Sequence, residues 1–319
     1  MPTNVPRWKV VFMGSPEFAL PCLQMLQKET DLLAVVSAPD KPAGRGKQMS
    51  ASAVAQYARE QGLALLQPER LKSPEFIEQL QGLQADVFVV VAFRMLPEVV
   101  WNMPPLGTLN VHASLLPQLR GAAPIQWAIA HGLEETGLST FRLKHEIDTG
   151  DVLLQQAIPI EERETGGSLY TKLMEEAPQI LLKTLQGLSR GELQARPQEQ
   201  LPAATCLNAP KIQRQHAFLT PNMSVAQADR WIRAFDPVPG SALKLQLSNG
   251  DMLEIKIKSA RPAGFIPVEG TFKLAFADGK LEVRTLQPAG KAAMDSASFL
   301  RGLRHTVVGW QPLGENPSF

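Results

Sequence analysis

Short apolar runs alternate with helix-like segments along the first half of the chain. Four of these runs are apolar at almost every position, and they cover residues 8–14, 31–39, 85–93 and 106–112. Strands that are apolar on both faces and are separated by helices are typical of a parallel sheet covered on both sides. The pattern therefore predicts an α/β domain. Its first strand ends at Gly14, and the next segment predicts a helix with Ser15 as the N-cap.

Two more strands and a long helix complete this predicted domain. Residues 136–143 and 151–160 have strand patterns that we place antiparallel at one edge of the sheet, and residues 167–188 predict the helix. The next segment is polar and carries three prolines between positions 190 and 210, which is a composition typical of a linker. We therefore expect a first domain at residues 1–189 and a linker at 190–208.

The period of the pattern changes after the predicted linker. A short helix is predicted at residues 225–235, and strictly alternating segments follow it. They flank Asn249-Gly250 and Asp278-Gly279, which are strong signals for two β-hairpins. Several short strands joined by such turns indicate a small β-barrel within residues 209–319.

Composition narrows the class of protein. The 319 residues include only two cysteines, too few for a disulfide framework, and no run approaches the roughly 20 apolar residues of a membrane span. The N-terminal segment lacks the apolar core of a signal peptide, so we expect a cytoplasmic protein without a membrane partner. Residues 211–319 carry 14 Lys and Arg against 9 Asp and Glu, although the whole chain has a net charge of only +1. A basic C-terminal part suggests a polyanionic partner, and an ordinary domain surface is the alternative.

The loop at residues 39–47 carries glycines and cations but fits no ATP-binding or dinucleotide-binding motif. Its sequence, PDKPAGRGK, does not have the GxxxxGK[ST] spacing, and Gly14 alone does not make a GxGxxG motif after the first strand. Lys41, Arg45 and Lys47 on a glycine-rich turn can bind the phosphates of a nucleic acid. A solvated surface loop is the other interpretation.

Candidate chemistry lies where the fourth predicted strand ends. Asn110 and His112 are two residues apart, so their side chains share a face, and an amide beside an imidazole can stabilise a developing oxyanion. Asp148 lies between the next two strands, from where its carboxylate can approach His112 and orient or charge the imidazole. We assign Asp151 to local turn hydrogen bonds. Nothing around Ser114 resembles a GxSxG motif, and a structural role for His112 is the alternative.

These residues and several longer motifs resemble the methionyl-tRNA formyltransferases, a family of folate-dependent formyltransferases. The Asn–His–Asp pattern with SLLP is shared by the wider set of formyltransferases, whereas the RGAAP and PAGRGK loops and the C-terminal domain are more restricted. The resemblance covers nearly the whole chain, through GSPEFA (14–19), PDKPAGRGK (39–47), NVHASLLPQLRGAAPIQ (110–126), DTGDVL (148–153), ETGGSLYTKL (164–173), IRAFDPVPG (232–240) and LQPAGKAAM (286–294).

The resemblance implies a Rossmann-like mostly parallel sheet followed by an OB-like β-barrel that binds tRNA. It implies that a formyl group moves from 10-formyltetrahydrofolate, a co-substrate, to the α-amine of methionine on initiator tRNA, without a metal. By the same resemblance, Asn110, His112 and Asp148 are catalytic. Other residues are implied to bind the folate, namely Ser114, Leu115, Leu116 and Pro117. Those implied to contact the tRNA are Lys41, Arg45 and Lys47. We expect a monomer.

Some positions depart from the family pattern, and other functions remain open at this point. Phe93 and Arg94 stand where a Tyr-Gly pair is usual, close to the expected folate site, and residues 144–146 are less typical before Asp148. A formyltransferase acting on a small amine or a sugar nucleotide is the alternative function. A nucleic-acid-binding module on an inactive scaffold is a rival from another class, and the absent glycine fingerprint argues against a dehydrogenase.

Overall fold

A seven-stranded, mostly parallel sheet forms the centre of the first of two units into which the chain divides. The structure is a computed structural model that describes residues 7–43, 48–201, 206–264 and 270–314. The first unit comprises Met1–Gly121, Thr136–Ile158 and Tyr170–Asn208, and the second comprises Ala122–Glu135, Pro159–Leu169 and Ala209–Phe319. Among the described residues, no helix is both long enough and apolar enough to cross a membrane.

The first part of the chain contains strands formed by the apolar runs of the sequence and further strands between and after those runs. They are β1 (Lys9–Gly14), β2 (Asp31–Val36), β3 (Lys41–Ala43), β4 (Gln48–Ser50), β5 (Leu65–Leu66), β6 (Val87–Val91), β7 (Thr108–His112), β8 (Arg120–Gly121), β9 (Glu135–Arg142) and β10 (Val152–Pro159). The order in the main sheet is β10-β9-β7-β6-β1-β2-β5. β1 pairs in parallel with β2 and β6, and β6 pairs in parallel with β7. β9 pairs antiparallel with β7, so the sheet predicted from the sequence is confirmed.

Helices and turns connect these strands. The α-helices of the described chain are α1 (Leu20–Glu29), α2 (Ala53–Glu60), α3 (Pro74–Gly82), α4 (Glu98–Trp101), α5 (Pro124–Ala130), α6 (Gly166–Ser189), α7 (Val225–Ala234) and α8 (Ser296–Arg301). Phe76 and Leu80 of α3 pack into a buried cluster with Met13, Phe88 and Val90 of the sheet. Burial of such side chains stabilises each by about 1.5–3 kcal/mol relative to exposure.

The expectation that Ser15 caps the first helix is wrong. A short 3-10 turn at Glu17–Ala19 precedes α1, and α1 begins after Ala19 without a side-chain cap. The Ser15 hydroxyl instead accepts a hydrogen bond from the backbone N–H of Ala38 at 3.2 Å. The bond ties the turn after β1 to the segment after β2, which a local capping pattern in the sequence does not reveal.

The second unit contains an antiparallel, barrel-like sheet. Its strands follow β11 (Asn208–Ala209) and are β12 (Ser241–Leu247), β13 (Met252–Pro262), β14 (Lys273–Phe276), β15 (Gly279–Pro288), β16 (Met294–Asp295) and β17 (Val307–Pro312). The strand order is β14-β15-β13-β12-β17, and β16 pairs with β15. β12 pairs with β13 across the Asn249-Gly250 turn, and β14 pairs with β15 across the Asp278-Gly279 turn, so both predicted hairpins are confirmed.

Candidate active site

β7 carries the first two residues of the predicted site to the edge of the sheet where the strand ends. Asn110 is opposite Phe141 of β9 in the antiparallel register, and His112 is opposite Ser139. His112 is 8% exposed, whereas Asn110 is half-buried. Since the two residues are separated by one position on the strand, their side chains lie on the same face of the sheet.

A backbone carbonyl holds one nitrogen of the His112 ring. The Nε2 atom lies 2.9 Å from the carbonyl oxygen of Leu119. A carbonyl can only accept a hydrogen bond, so Nε2 carries the proton and Nδ1 is the nitrogen left for chemistry. Leu119 is fully buried and has a φ of 58°, in the left-handed region, which fixes the direction of its peptide.

Asp148 approaches the other nitrogen of the ring. Its Oδ2 atom lies 3.8 Å from His112 Nδ1, and the two side chains are 12% and 9% exposed. The same oxygen accepts a hydrogen bond from the backbone N–H of Gly121 at 2.9 Å. Asp148 has a φ of 55°, which is uncommon for a residue other than glycine and turns the carboxylate towards the ring. The structure therefore brings Asp148 and His112 together as the sequence predicts.

The side-chain amide of Asn110 is available to a ligand. In the described part of the chain it makes no hydrogen bond with another protein group. The site thus combines an uncommitted amide, an imidazole and a carboxylate at one strand end. Such a set can bind an oxyanion and move a proton, but it offers no activated protein nucleophile. Among the residues described, no three His, Cys, Asp or Glu are placed to bind a metal ion.

The four residues predicted to bind the folate form the turn directly after β7. The Ser114 hydroxyl donates to the carbonyl of Gln118 at 2.5 Å. Leu116 packs against Phe141 and Val152 in a buried cluster, and Pro117 is also buried. Leu115 is half-buried. Their side chains therefore shape the loop from within, and their role towards a ligand stays a prediction.

The cationic loop is described only in part. Lys41 begins β3, which pairs antiparallel with β4, and its side chain is exposed. Arg45 and Lys47 lie outside the described residues. The predicted binding of these three residues to a nucleic acid therefore stays a prediction.

Two charged residues considered in the sequence analysis have partners that the sequence does not reveal. The Arg94 guanidinium donates to the backbone carbonyls of Pro68 and Glu69, and partial burial lowers its pKa. Arg94 thus fastens one loop of the first unit to another. The Asp151 carboxylate accepts from Lys144 at 2.6 Å, so its partner is a cation at the start of the same loop between β9 and β10 rather than a backbone group of its own turn.

Sequence reasoning missed the groups that hold His112 and Asp148 in place. The Leu119 carbonyl and the Gly121 N–H belong to the backbone, and their directions follow from φ and ψ, which no side-chain pattern records. Gln198 binds the backbone carbonyls of the residues on both sides of Thr149, yet it lies in the segment predicted as a linker. A buried polar residue in a proline-containing polar segment gives no signal of its own.

Comparison with known proteins identifies relatives over most of the chain. Residues 8–185 match the formyl transferase family, and residues 211–304 match the family described as formyl transferase, C-terminal domain. The chain is 42% identical over 310 residues to a methionyl-tRNA formyltransferase of Bacteroides fragilis, an alignment that covers 93% of this chain and 96% of the relative.

Solved structures share the fold at much lower identity. HypX from Aquifex aeolicus, in complex with tetrahydrofolic acid, superposes with a TM-score of 0.61 at 18% identity, over 92% of this chain and 47% of HypX. The chain thus spans about half of HypX. An N-formyltransferase from Helicobacter canadensis, in complex with folinic acid and dTDP-3-aminofucose, gives a TM-score of 0.60 at 18% identity, over 88% and 99% of the two chains.

Proposed function

The chain belongs to the formyl transferase family, and from that premise we propose that it formylates the α-amine of methionyl-initiator-tRNA with 10-formyltetrahydrofolate as the donor. The products are N-formylmethionyl-tRNA, which serves translation initiation, and tetrahydrofolate. The choice of acceptor rests on the similarity to methionyl-tRNA formyltransferases over 93% of the chain. Aminoacylated tRNA is present in the cytoplasm, so we propose that the enzyme acts there.

One observation carries the chemical part of the proposal. Asp148 Oδ2 lies 3.8 Å from His112 Nδ1 at the strand end where the Asn110 amide is uncommitted. In transfer of a formyl group between two amines the nucleophile belongs to the acceptor substrate. The protein has to stabilise an oxyanion and carry a proton, and these three groups supply both functions without a nucleophile of their own.

The reaction begins with attack of the neutral methionyl amine on the formyl carbon. A new C–N bond forms, and the formyl oxygen becomes an oxyanion. The Asn110 amide and the Nδ1–H of a protonated His112 donate hydrogen bonds to that oxygen. Because Nε2–H is committed to the Leu119 carbonyl, Nδ1–H is the donor that His112 has left for the substrate. The charge of Asp148 stabilises the imidazolium at 3.8 Å.

Collapse of the oxyanion requires a proton on the departing nitrogen. The attacking amine becomes positively charged when its C–N bond forms, and it gives a proton to the Asp148 carboxylate directly or through water. The carboxyl group passes this proton to N10 of the folate as the C–N10 bond breaks and its electron pair stays on N10. The Gly121 N–H keeps Asp148 Oδ2 in position throughout. Asp148 is therefore a carboxylate again at the end of the cycle.

A formyl-transfer assay tests the proposed function. The purified chain is mixed with 10-formyltetrahydrofolate and methionine-charged initiator tRNA, and in parallel with free methionine, small amines and an amino sugar nucleotide. We expect formylation confined to the charged tRNA. Transfer to a small amine would retain the catalytic set and overturn the acceptor, whereas no transfer to any acceptor would overturn the proposal.

His112→Ala tests the site in the same assay. We expect transfer to fall by about 10²–10⁴-fold, the contribution typical of a positioned acid or base, while the variant stays folded. Near wild-type turnover in a folded variant would refute the role of His112. Replacement of the exposed His145, which lies in the loop between β9 and β10, provides a control for the loss of an imidazole.

A further inference from the structure

The segment predicted as a linker contains a glutamine that is buried next to the proposed active site. Gln198 is 1% exposed, although the residues on both sides of it, Pro197 and Glu199, are half-buried and exposed. A short 3-10 turn at Gln198–Gln200 presents the side chain inwards. Burying a carboxamide costs free energy unless its polar atoms find partners, so the hydrogen bonds of this side chain indicate what it does.

The nitrogen of Gln198 is bound to the loop that carries Asp148. Nε2 donates to the backbone carbonyl of Asp148 at 2.8 Å and to that of Gly150 at 2.8 Å. Both donor hydrogens are therefore used, and they hold the carbonyls of the residues on either side of Thr149. The Asp148 carboxylate extends from the residue whose carbonyl is held, so these bonds restrict the backbone from which the catalytic group projects.

The oxygen of Gln198 is bound to the loop after β7. Oε1 accepts from Arg120 Nε at 2.9 Å and from a terminal nitrogen of the same guanidinium at 2.6 Å. Arg120 is followed by Gly121, whose N–H holds Asp148 Oδ2. The Gln198 side chain thus links Asp148, whose carboxylate accepts the hydrogen bond from Gly121, to the loop that contains Gly121.

The Asp148 loop needs such a restraint because its conformation is not the preferred one. Asp148 has a φ of 55°, and residues in the left-handed region return to ordinary φ values unless their surroundings prevent it. At Gly150 an added Cβ would lie 1.6 Å from the carbonyl oxygen of Arg142, so the chain passes there with no spare room. The Gln198 bonds hold the carbonyls of these same two residues.

From these hydrogen bonds we propose that Gln198 is a positioning residue for catalysis, which fixes Asp148 against His112 by linking the Asp148 loop to Arg120. The proposal rests on the proposed function, since it assigns Gln198 to the reaction in which Asp148 acts. A one-ångström displacement of a reacting group can cost about 100-fold in rate, so removal of this restraint is expected to lower kcat. Gln198 acts through Asp148 rather than by contact with a substrate.

Two substitutions separate the parts of the side chain. Gln198→Glu keeps an oxygen for Arg120 but removes both donors and turns a carboxylate oxygen towards the two carbonyls. Gln198→Met has a similar length, adds no charge and removes all four hydrogen bonds. The matched control is Gln200→Met in the same 3-10 turn, where the side chain is exposed. The segment keeps a second anchor in every variant, because Arg196 and Val152 exchange backbone hydrogen bonds at 2.8 and 2.9 Å.

The experiment measures kcat and both KM values with charged tRNA and the folate donor, together with the Tm of each variant. For both Gln198 variants we expect kcat to fall about 100-fold with KM unchanged, and for Gln200→Met no change. In an Asp148→Asn background, Gln198→Met is expected to cause no further loss in single-turnover rate, because the group it positions is already disabled. A purely structural role would instead give a loss that adds to that of Asp148→Asn.

A second measurement does not depend on activity. Hydrogen exchange of the Gly121 amide reports its bond to Asp148 directly, and we expect faster exchange in Gln198→Met than in Gln200→Met. Wild-type kcat in both Gln198 variants, additive loss with Asp148→Asn, or unchanged Gly121 exchange would overturn the proposal. If wild-type protein formylates no acceptor, the proposed function fails, and Gly121 exchange still decides whether Gln198 positions Asp148.

Discussion

At the scale of single residues, the proposed site depends on which polar groups are already satisfied. The Asn110 amide is uncommitted within the described chain, whereas the Ser114 hydroxyl, four positions later, is bound to the Gln118 carbonyl. His112 has one nitrogen committed to Leu119. An uncommitted donor at a strand end costs little when water solvates it, and it becomes useful when a substrate replaces that water. This difference decides which residues we assign to chemistry.

Asn110→Ala tests this distinction. Loss of one oxyanion donor typically lowers kcat by about 10²–10³-fold, and we expect that loss here with KM for both substrates nearly unchanged. The Tm should stay near the wild-type value because no protein hydrogen bond is broken. Steady-state kinetics and thermal unfolding measure the two effects. The exposed Asn102, at the end of α4, provides the control substitution Asn102→Ala, which should alter neither. A large fall in Tm with unchanged kcat would assign Asn110 to structure.

Side-chain chemistry and the position of Asp148 between two predicted strands were enough to predict its pairing with His112. Because β9 is antiparallel to β7 and ends opposite Leu109, the loop after β9 has to return towards His112. The groups that fix the pair were not predictable in this way. Leu119 and Asp148 have φ values of 58° and 55°; a leucine side chain disfavours this region, and an aspartate side chain tolerates it without requiring it. Their conformations result from tertiary interactions, and the Gln198 bonds are among those interactions.

At the scale of secondary-structure elements, the loop after β9 passes close to the backbone of β9 at Gly150. This residue lies between Asp148 and the start of β10, and the position of its absent Cβ is 1.6 Å from the carbonyl oxygen of Arg142 in β9. Any side chain there has to move the backbone. Because β9 is held in register with β7, the loop is the part that yields.

Gly150→Ala should therefore disable the enzyme more than it unfolds it. We expect a fall in kcat of about 100-fold or more as Asp148 leaves its position, which the transfer assay measures. Gly82→Ala is the matched control, since an added Cβ at the end of α3 meets no atom within 4 Å. It should leave kcat unchanged and, through helix propensity, stabilise the fold by up to about 1 kcal/mol. Full activity of Gly150→Ala would contradict the close approach of the loop to β9.

Elements that depend on residues close in sequence could be predicted, whereas an element that depends on residues distant in sequence could not. Hairpins at Asn249-Gly250 and Asp278-Gly279 were predictable because the turn residues themselves determine the geometry, and Gly250 has a φ of 89°. The predicted capping role of Ser15 is wrong, because the 3-10 turn after β1 depends on interactions with residues distant in sequence. One of them is the Tyr170 hydroxyl, which accepts from the Phe18 N–H at 2.9 Å.

A cluster of aromatic residues in the second unit couples its stability to pH. The Trp127 ring lies 5.5 Å from the ring of His131 and 5.7 Å from that of His216, measured between centroids. Burial, and then the charge of Arg230, lowers the pKa of His131, and burial lowers the pKa of His216. Each imidazole thus binds its proton more weakly in the folded protein than in the unfolded chain.

The sign of the pH dependence follows from this difference. Below the ordinary histidine pKa of about 6.5 the unfolded chain takes up protons that the folded protein does not, so stability is lost as pH falls through this range. We expect the Tm to fall between pH 7 and pH 5 in thermal unfolding experiments, and His131→Gln to reduce that fall. The exposed His305 gives the control His305→Gln. A Tm that is flat over this range would contradict the prediction.

Carboxyl groups with lowered pKa values act in a separate range. The hydrogen bond from Gln67 is the main cause that lowers the pKa of Asp40, and the backbone N–H of Ser298 is the main cause for Asp295. Stability from such groups is present above the ordinary carboxyl pKa near 4 and is lost at lower pH. The loss between pH 7 and pH 5 therefore reports the histidines rather than these two carboxylates.

At the scale of the whole molecule, charge separates the two parts of the sequence. The net charge of +1 conceals an excess of Lys and Arg in residues 211–319, where 14 of them face 9 Asp and Glu. The residues that we propose for the chemistry of formyl transfer all belong to the first unit. The basic residues 211–319 and the cationic loop at residues 39–47 would attract a polyanionic acceptor such as tRNA, but they would not strengthen the binding of a small amine.

The loop provides the test that separates these acceptors. Arg45→Gln with Lys47→Gln should raise KM for charged tRNA and leave KM for the folate donor unchanged, because the two substitutions remove cations that we propose to bind phosphates. The slope of log binding constant against log salt concentration should become shallower by about 0.9 for each phosphate that is no longer neutralised. The exposed residues Lys28 and Lys72 of the first unit give a control with the same change of charge, Lys28→Gln with Lys72→Gln. An equal rise in KM for both double variants would mean that net charge alone attracts the tRNA, whereas no rise in either would remove the loop from tRNA recognition.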